Sequence, residues 1–264
     1  MKVDHSPVRP PLALVTGASS GIGQAVAHRL AAQGYRLMLV ARRRDRLKSL
    51  VNDLRPGADA IPLVLDLSRP EQIESMVGPA LQAHGPVDVL LNNAGYGRCV
   101  GFLDENDDEH RQLMQVNYFA AVALIRAVLP GMLARHHGHV INVASIATKV
   151  GPWGHGGYAA AKSAVVALTQ SLACEYQTCG LHFTYVNPGI VRTEFFNDPS
   201  YRQIRRTVQQ RAIDPDLVAR RIVAVIERPR IELCVPSHFR ILDWIKALNP
   251  TWAQRLVART SRPS

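Results

Sequence analysis

The sequence predicts an α/β fold built on one open, doubly wound parallel sheet of seven strands with helices on both faces. Three observations carry that expectation. Short, continuously apolar runs alternate with longer helical stretches, the pattern of strands covered on both faces. The first apolar run is followed at once by a glycine-rich turn and a helix. A length of 264 residues with an apolar fraction of 47% suits one domain with a substantial core. No repeat, low-complexity tract or long linker divides the chain.

Taken in order, the strands are expected at 12–15, 36–40, 60–65, 87–91, 140–143, 183–186 and 231–235. The helices are expected at about 21–33, 44–54, 70–84, 108–137 and 156–178. Pro70 suits a first helical turn, and the acidic stretch 104–109 reads as a solvated helix start facing the positive end of the dipole. The core spans about 12–235 and a helical extension follows over about 236–264. Within it, 238–248 is amphipathic, with Ile241, Leu242, Ile245 and Leu248 on one stripe and Arg240, Asp243 and Lys246 elsewhere. Asn249-Pro250 restarts a second short helix carrying Trp252, Arg255, Leu256 and Arg259, Asn as cap and Pro at the first position. The pair suits packing on the domain's edge, a lid over a substrate entrance or contact with a membrane surface.

Composition excludes several classes. Charged residues make up 20%, against wholesale disorder. No unbroken apolar run approaches the roughly 18 residues of a membrane span, and residues 1–11 show no apolar signal region. Cysteines 99, 174, 179 and 234 fit neither a disulfide framework nor a metal motif. A reducing, cytoplasmic setting without a metal is expected, with Cys174 and Cys179 packing on a helix. Residues 201–264 hold 13 Lys and Arg against 5 Asp and Glu, so most of the net charge of +10 sits there. That asymmetry raises nucleic acid, an anionic membrane or an acidic partner. Arg202, Arg205 and Arg206 cluster, and Arg220, Arg221, Arg228 and Arg230 follow, but no nucleic-acid fold signature accompanies them and no nucleic-acid partner is expected.

Thr16-Gly17-Ala18-Ser19-Ser20-Gly21-Ile22-Gly23 lies between the first strand and first helix, the context a dinucleotide fingerprint needs. Gly17 turns the chain, Gly21 and Gly23 leave room for a pyrophosphate, and the helix N-terminus offers free N–H groups to it. An acidic residue at the tip of the second strand would hold a ribose diol. Here that position reads Ala41-Arg42-Arg43-Arg44, three guanidinium groups and no carboxylate. One charge-assisted hydrogen bond to a 2′-phosphate is worth about 1.5–3 kcal/mol, so NADP(H) is expected over NAD(H), which stays possible. Arg42 is the first choice for that contact; Arg43 either shares it or opens a solvated helix with Arg44 and Asp45. Asp66, with Leu67 beside it, is placed to accept from the adenine amino group, or to serve as a cap near Ser68.

Tyr158-Ala159-Ala160-Ala161-Lys162 puts a phenol and an ammonium one helical turn apart. A phenol with a pKa of about 10 exchanges protons poorly near neutrality, and a fixed cation beside it is expected to lower that value. Tyr-x-x-x-Lys is also common on ordinary helices. Other polar residues gather at the same sheet edge: Ser145 after the fifth strand, Asn92-Asn93-Ala94-Gly95 after the fourth and Asn187-Pro188-Gly189 after the sixth. Asn117 sits mid-helix among Val116, Phe119 and Ala120, a costly place for an amide without a partner.

With TGASSGIG at 16–23, NNAG at 92–95, Asn117, Ser145, YAAAK at 158–162 and NPG at 187–189, the sequence resembles the single-domain short-chain dehydrogenases/reductases. The likeness covers about 12–235. It implies a Rossmann-type seven-stranded sheet and hydride transfer between nicotinamide C4 and a carbonyl carbon. It further implies Tyr158 as general acid in reduction and base in oxidation. Lys162 would lower the Tyr158 pKa and hold the nicotinamide ribose, Ser145 would bond the substrate oxygen, and Asn117 would anchor a relay water. The cofactor would lie along Gly17, Ser19, Ser20, Gly21, Ile22 and Gly23, then Asn93, Ala94 and Gly95, with Pro188, Gly189, Ile190 and Thr193 around the nicotinamide. The arginine after the second strand is similar to the NADP-preferring branch. About 29 residues follow Val235, resembling the branch that acts on lipid-, retinoid- or steroid-like compounds. That length puts a tetramer built through the last strand in doubt, though a homo-oligomer, dimer or tetramer, is implied.

Substrate walls are expected from Val150, Pro152, Trp153 and His155 and from Phe195, Phe196 and Tyr201. These favour a small apolar ketone, aldehyde or alcohol over a sugar. His155 either touches substrate or is an ordinary loop histidine.

Overall fold

The structure is a computed structural model that describes residues 9–204 and 210–261. Arg205 and Arg206 therefore lie outside the described residues. Among the latter, β1 (Leu12–Thr16), β2 (Arg36–Ala41), β3 (Ala60–Val64), β4 (Val89–Asn92), β5 (Gly138–Val143), β6 (Leu181–Pro188) and β7 (Glu232–Val235) form one sheet. All pairs are parallel in the order β3-β2-β1-β4-β5-β6-β7. Every strand thus ends at the same edge, and the order reverses between β1 and β4, where open α/β sheets bind their ligands.

Strand periodicity splits the core in two. Ala13 and Val15 of β1 join α1 (Gly21–Ala32), α2 (Arg44–Asp53) and α8 (Pro215–Glu227) on one face. Leu12 and Leu14 join α3 (Pro70–His84) and α5 (Ala120–Arg135) on the other, with α7 (Gly156–Glu175) packed alongside.

Some elements differ from the sequence reading. The long helix is α4 (Asp107–Met114) and α5 joined by a π-helical turn, Gln115–Phe119. The amide of Asn117 lies in that turn and donates to Leu113 O at 3.0 Å, competing for a helix carbonyl. Asp107–Arg135 as a whole does have the length and apolar composition of a membrane span, which a search for unbroken apolar runs misses. Its Leu124, Ile125, Val128 and Met132 nonetheless pack under the sheet as core residues. The helix α8 was not anticipated, although Asp214 caps it through Asp216 N (2.8 Å) and Pro215 opens it. A one-turn helix, α6 (Ala147–Val150), was also missed. β4 starts two residues late and β7 one, leaving Ile231 exposed. Cys174 is exposed rather than packed.

In the extension, α9 (Ile241–Leu248) and α10 (Pro250–Ser261) meet at Asn249, whose Oδ1 accepts from Trp252 N at 2.9 Å. The expected stripe on α9 does not pack as one face. Leu242 and Ile245 are half-buried, but Ile241 is 59% and Leu248 85% exposed.

Candidate active site

The turn after β1 is built for close approach. Gly17 and Gly21 adopt φ of 63° and 57°, the left-handed region that side chains resist. A Cβ on Gly21 would lie 2.6 Å from Thr193 Cγ2, so the loop after β6 closes directly on the head of α1. The first-turn amides of α1 open into this cradle, a fit for a pyrophosphate. The Asn93 side-chain amide lies against the turn, 2.8 Å from where a Cβ on Gly17 would stand. That group donates to Thr16 O (3.0 Å) and Gly17 O, while the amides of Asn93 and Ala94 donate to Thr16 Oγ1, stitching β4 to the glycine turn. Ile22 packs against the core.

Arg43, not Arg42, reaches the cradle, donating to Ser19 Oγ (3.1 Å) and Ser20 Oγ (2.9 Å). It also pairs with Glu194, which Arg46 contacts at 3.1 Å. Those hydrogen bonds from Arg43, against a small burial effect, hold the Glu194 carboxyl below its ordinary range. Arg42 is exposed, and its charge acts on Asp66. The cap role is realised at Asp66: Oδ1 accepts from Ser68 N (3.0 Å) and Ser68 Oγ (2.8 Å). Burial works against the charge, but those bonds outweigh it and keep the carboxyl low. Leu67 follows with its side chain buried in the core.

Ser145 follows β5, while Tyr158 and Lys162 share the inward face of α7, 8% and 4% exposed. The Ser145 hydroxyl accepts from Ala147 N at 3.1 Å, which leaves its proton to donate. Lys162 Nζ donates to Val143 O at 2.9 Å and stands 6.0 Å from the Tyr158 ring centre. The lowering expected of the phenol needs the ammonium and a nicotinamide cation together; the protein's own groups act otherwise. Burial pushes Tyr158 up to about 12, with Ser145 pulling the other way, and pushes Lys162 down to about 8. Desolvation disfavours both charged forms and is the leading cause of both shifts.

Asn117 Nδ2 donates to Tyr96 O at 2.9 Å as well as to Leu113 O, while its Oδ1 and Asn92 Oδ1 find no partner among the described residues. Asn92, Asn117 and Lys162 line one cavity of about 10 Å³. A space of that size with polar partners accommodates one water. Sequence reasoning missed what lies behind it: Asn92 donates to Asn142, and Asn142 to Thr169 on α7, both at 2.8 Å. These buried amides were readable only as strand residues.

On the substrate side, Phe195 and His155 stand 5.4 and 6.3 Å from the Tyr158 ring, and Tyr201 5.7 Å from each of them. A Cβ on Gly97 would come within 3.0 Å of Phe195, Tyr201 Oη and Tyr158 together, so only glycine lets the three rings meet. Tyr201 is fully buried and Phe196 packs on it at 5.1 Å. His155 thus belongs to the aromatic wall, its Nδ1 2.8 Å from Trp153 O. Gly189 and Ile190 carry the backbone away from β6 through bonds to Val235 O and from Ile213 N, following Pro188. Among the described residues no cluster of metal-binding side chains occurs.

The geometry matches known proteins. The family model described as "short chain dehydrogenase" matches residues 11–203. A dehydrogenase/reductase SDR family protein 7-like from Anopheles gambiae is 31% identical over 250 residues, covering 90% of this chain and 79% of the relative. A short-chain dehydrogenase from Sphingobium yanoikuyae in complex with NADPH superposes with a TM-score of 0.81 at 28% identity, covering 93% of this chain and 94% of that one. A short chain dehydrogenase/reductase from Burkholderia phymatum in complex with NAD gives 0.85 at 25%, covering 97% and 96%.

Proposed function

The chain belongs to the short-chain dehydrogenase family and is an NAD(P)-linked oxidoreductase; from that premise we propose that it reduces an apolar ketone or aldehyde with NADPH. The observation that carries the reading is the burial of Tyr158 and Lys162 beside the half-buried Ser145, with an aromatic wall against the Tyr158 ring, at the sheet's binding edge. Bound nicotinamide supplies the hydride for the carbonyl carbon. Ser145 holds the carbonyl oxygen, and Tyr158 gives that oxygen its proton in reduction or removes it in oxidation. Lys162 steadies the resulting phenolate and holds the ribose hydroxyls. Proton supply runs through the small cavity shared by Lys162, Asn117 and Asn92. Phe195, Phe196, His155 and Tyr201 favour an apolar carbonyl compound of the lipid or steroid kind over a sugar.

Arg43, bridging Ser19 and Ser20, is the group for a 2′-phosphate, with Arg42 secondary. Titration of NADPH and NADH by nicotinamide fluorescence tests this. Arg43→Ala is expected to weaken NADPH roughly 10- to 100-fold and NADH little, with a smaller effect for Arg42→Ala. Equal wild-type affinities would overturn the preference and favour an NAD-linked secondary alcohol dehydrogenase. Binding of neither cofactor would leave a non-catalytic relative. A cytoplasmic setting is supported by the four cysteines, all of them free thiols.

A further inference from the structure

We propose that α9 and α10 form a docking surface that seats the protein on an anionic lipid bilayer. α9 carries large apolar side chains on its outer side as well as on its inner side, where Leu242 and Ile245 are half-buried. Its one acid, Asp243, turns inward to Lys149 at 2.5 Å, and Lys149 also holds Glu232 at 2.7 Å. Ile241, Trp244 and Leu248, spaced i, i+3, i+7, turn outward at 59%, 72% and 85% exposure. A helix that only covered the domain's edge would keep polar side chains at these outward positions. Trp252 on α10, 53% exposed, extends the apolar surface.

Charge selects the occupant. Arg240, Lys246, Arg255 and Arg259 are all exposed, and Asp243 is the only carboxylate between 236 and 261. A second copy meeting this face through two-fold symmetry would set these cations against each other. An anionic leaflet complements them, and exposed indoles suit the headgroup layer beneath which aliphatic side chains insert.

The surface is also tied to the substrate loop. Besides the Lys149–Asp243 pair, Trp153 N donates to Ser261 Oγ at 3.1 Å, and the Phe239 ring lies so close to Gly189 that a Cβ there would be 2.6 Å away. Docking would therefore hold the substrate entrance beside the bilayer, which narrows the substrate to a membrane-partitioned carbonyl lipid; this clause rests on the reductase reading.

Flotation of the full chain with phosphatidylcholine vesicles, with and without phosphatidylserine, tests the docking. Binding is expected only with phosphatidylserine, to fall at high salt, and to blue-shift tryptophan emission. Trp244→Ser with Leu248→Ser should weaken it roughly tenfold or more. Lys246→Glu with Arg255→Glu should cost at least about fivefold per charge while NADPH affinity and melting temperature hold. Absence of wild-type flotation, equal binding to neutral vesicles, or binding that survives both double variants would each overturn the proposal. So would a fall in particle mass for the Trp244→Ser, Leu248→Ser variant without vesicle binding by wild type, which would assign the face to a second copy. None of these readouts involves turnover, so failure here is distinct from failure of the reductase reading.

Discussion

Tyr158 and Lys162 are desolvated together, and burial drives them apart, the phenol up to about 12 and the ammonium down to about 8. In the free chain the neutral phenol is the stable form, suited to donating a proton to a carbonyl oxygen that is gaining charge. Tyr158→Phe is expected to lower turnover by about 10²- to 10⁴-fold while leaving NADPH affinity intact; wild-type rates would refute the assignment. His139 provides a separate, structural titration. Burial, with a smaller push from His182, depresses it to about 3 while Nε2 bonds Thr184 Oγ1 at 2.8 Å. A depressed folded value for a base means that its stability contribution is complete above the unfolded value of 6.5 and is lost as pH falls towards 3. The loss approaches roughly 4 kcal/mol. His139→Gln should flatten the melting temperature against pH over that window.

At the scale of elements, the buried Lys149 ties three segments together: α6 beside Ser145, β7 through Glu232 and α9 through Asp243. Burial opposes its charge, but the hydrogen bonds with Asp243 and Glu232 outweigh that and hold it above its ordinary value. Asp243 is half-exposed, so Asp243→Asn should cost only about 1 kcal/mol. Lys149→Met strands Glu232 as well and should cost about 3 kcal/mol, read as a larger fall in melting temperature. Because α6 lies in the substrate loop, Lys149→Met should also raise KM more than it lowers kcat.

At the scale of the molecule, two apolar regions stay open. One is the extension's outer face. The other side chains, Phe102, Leu103 and Phe119, 75%, 95% and 50% exposed, lie before α4 and at the end of the π-helical turn. The family resemblance implies self-association, and we propose that it would use these side chains rather than the basic extension, where like charges would face each other. Light scattering is expected to show a multimer that Phe119→Glu dissociates, with vesicle binding unchanged. A monomeric wild type would refute this.

The sequence by itself determined the sheet, its binding edge and the gathering of Ser145, Tyr158, Lys162 and Asn117 there. Apolar periodicity, glycine turns and i, i+4 spacing are local properties, and a parallel sheet sends all its strand ends to one side. α8 is legible too, in Asp214, Pro215 and an amphipathic run. Other features depended on partners far along the chain. Arg43 rather than Arg42 enters the cradle because Ser19, Ser20 and, 151 residues away, Glu194 draw it in. The Leu67 side chain turns into the core it shares with α5. Lys149 meets Asp243 across 94 residues, and the stripe of α9 is split, Leu242 and Ile245 turning to the domain and Ile241 and Leu248 outward. The pKa shifts of Tyr158 and Lys162 depend on the depth of burial, which spacing on one helix does not report. Spacing along a helix says which residues share a face, but only the packed fold decides which face meets protein and which meets solvent or lipid.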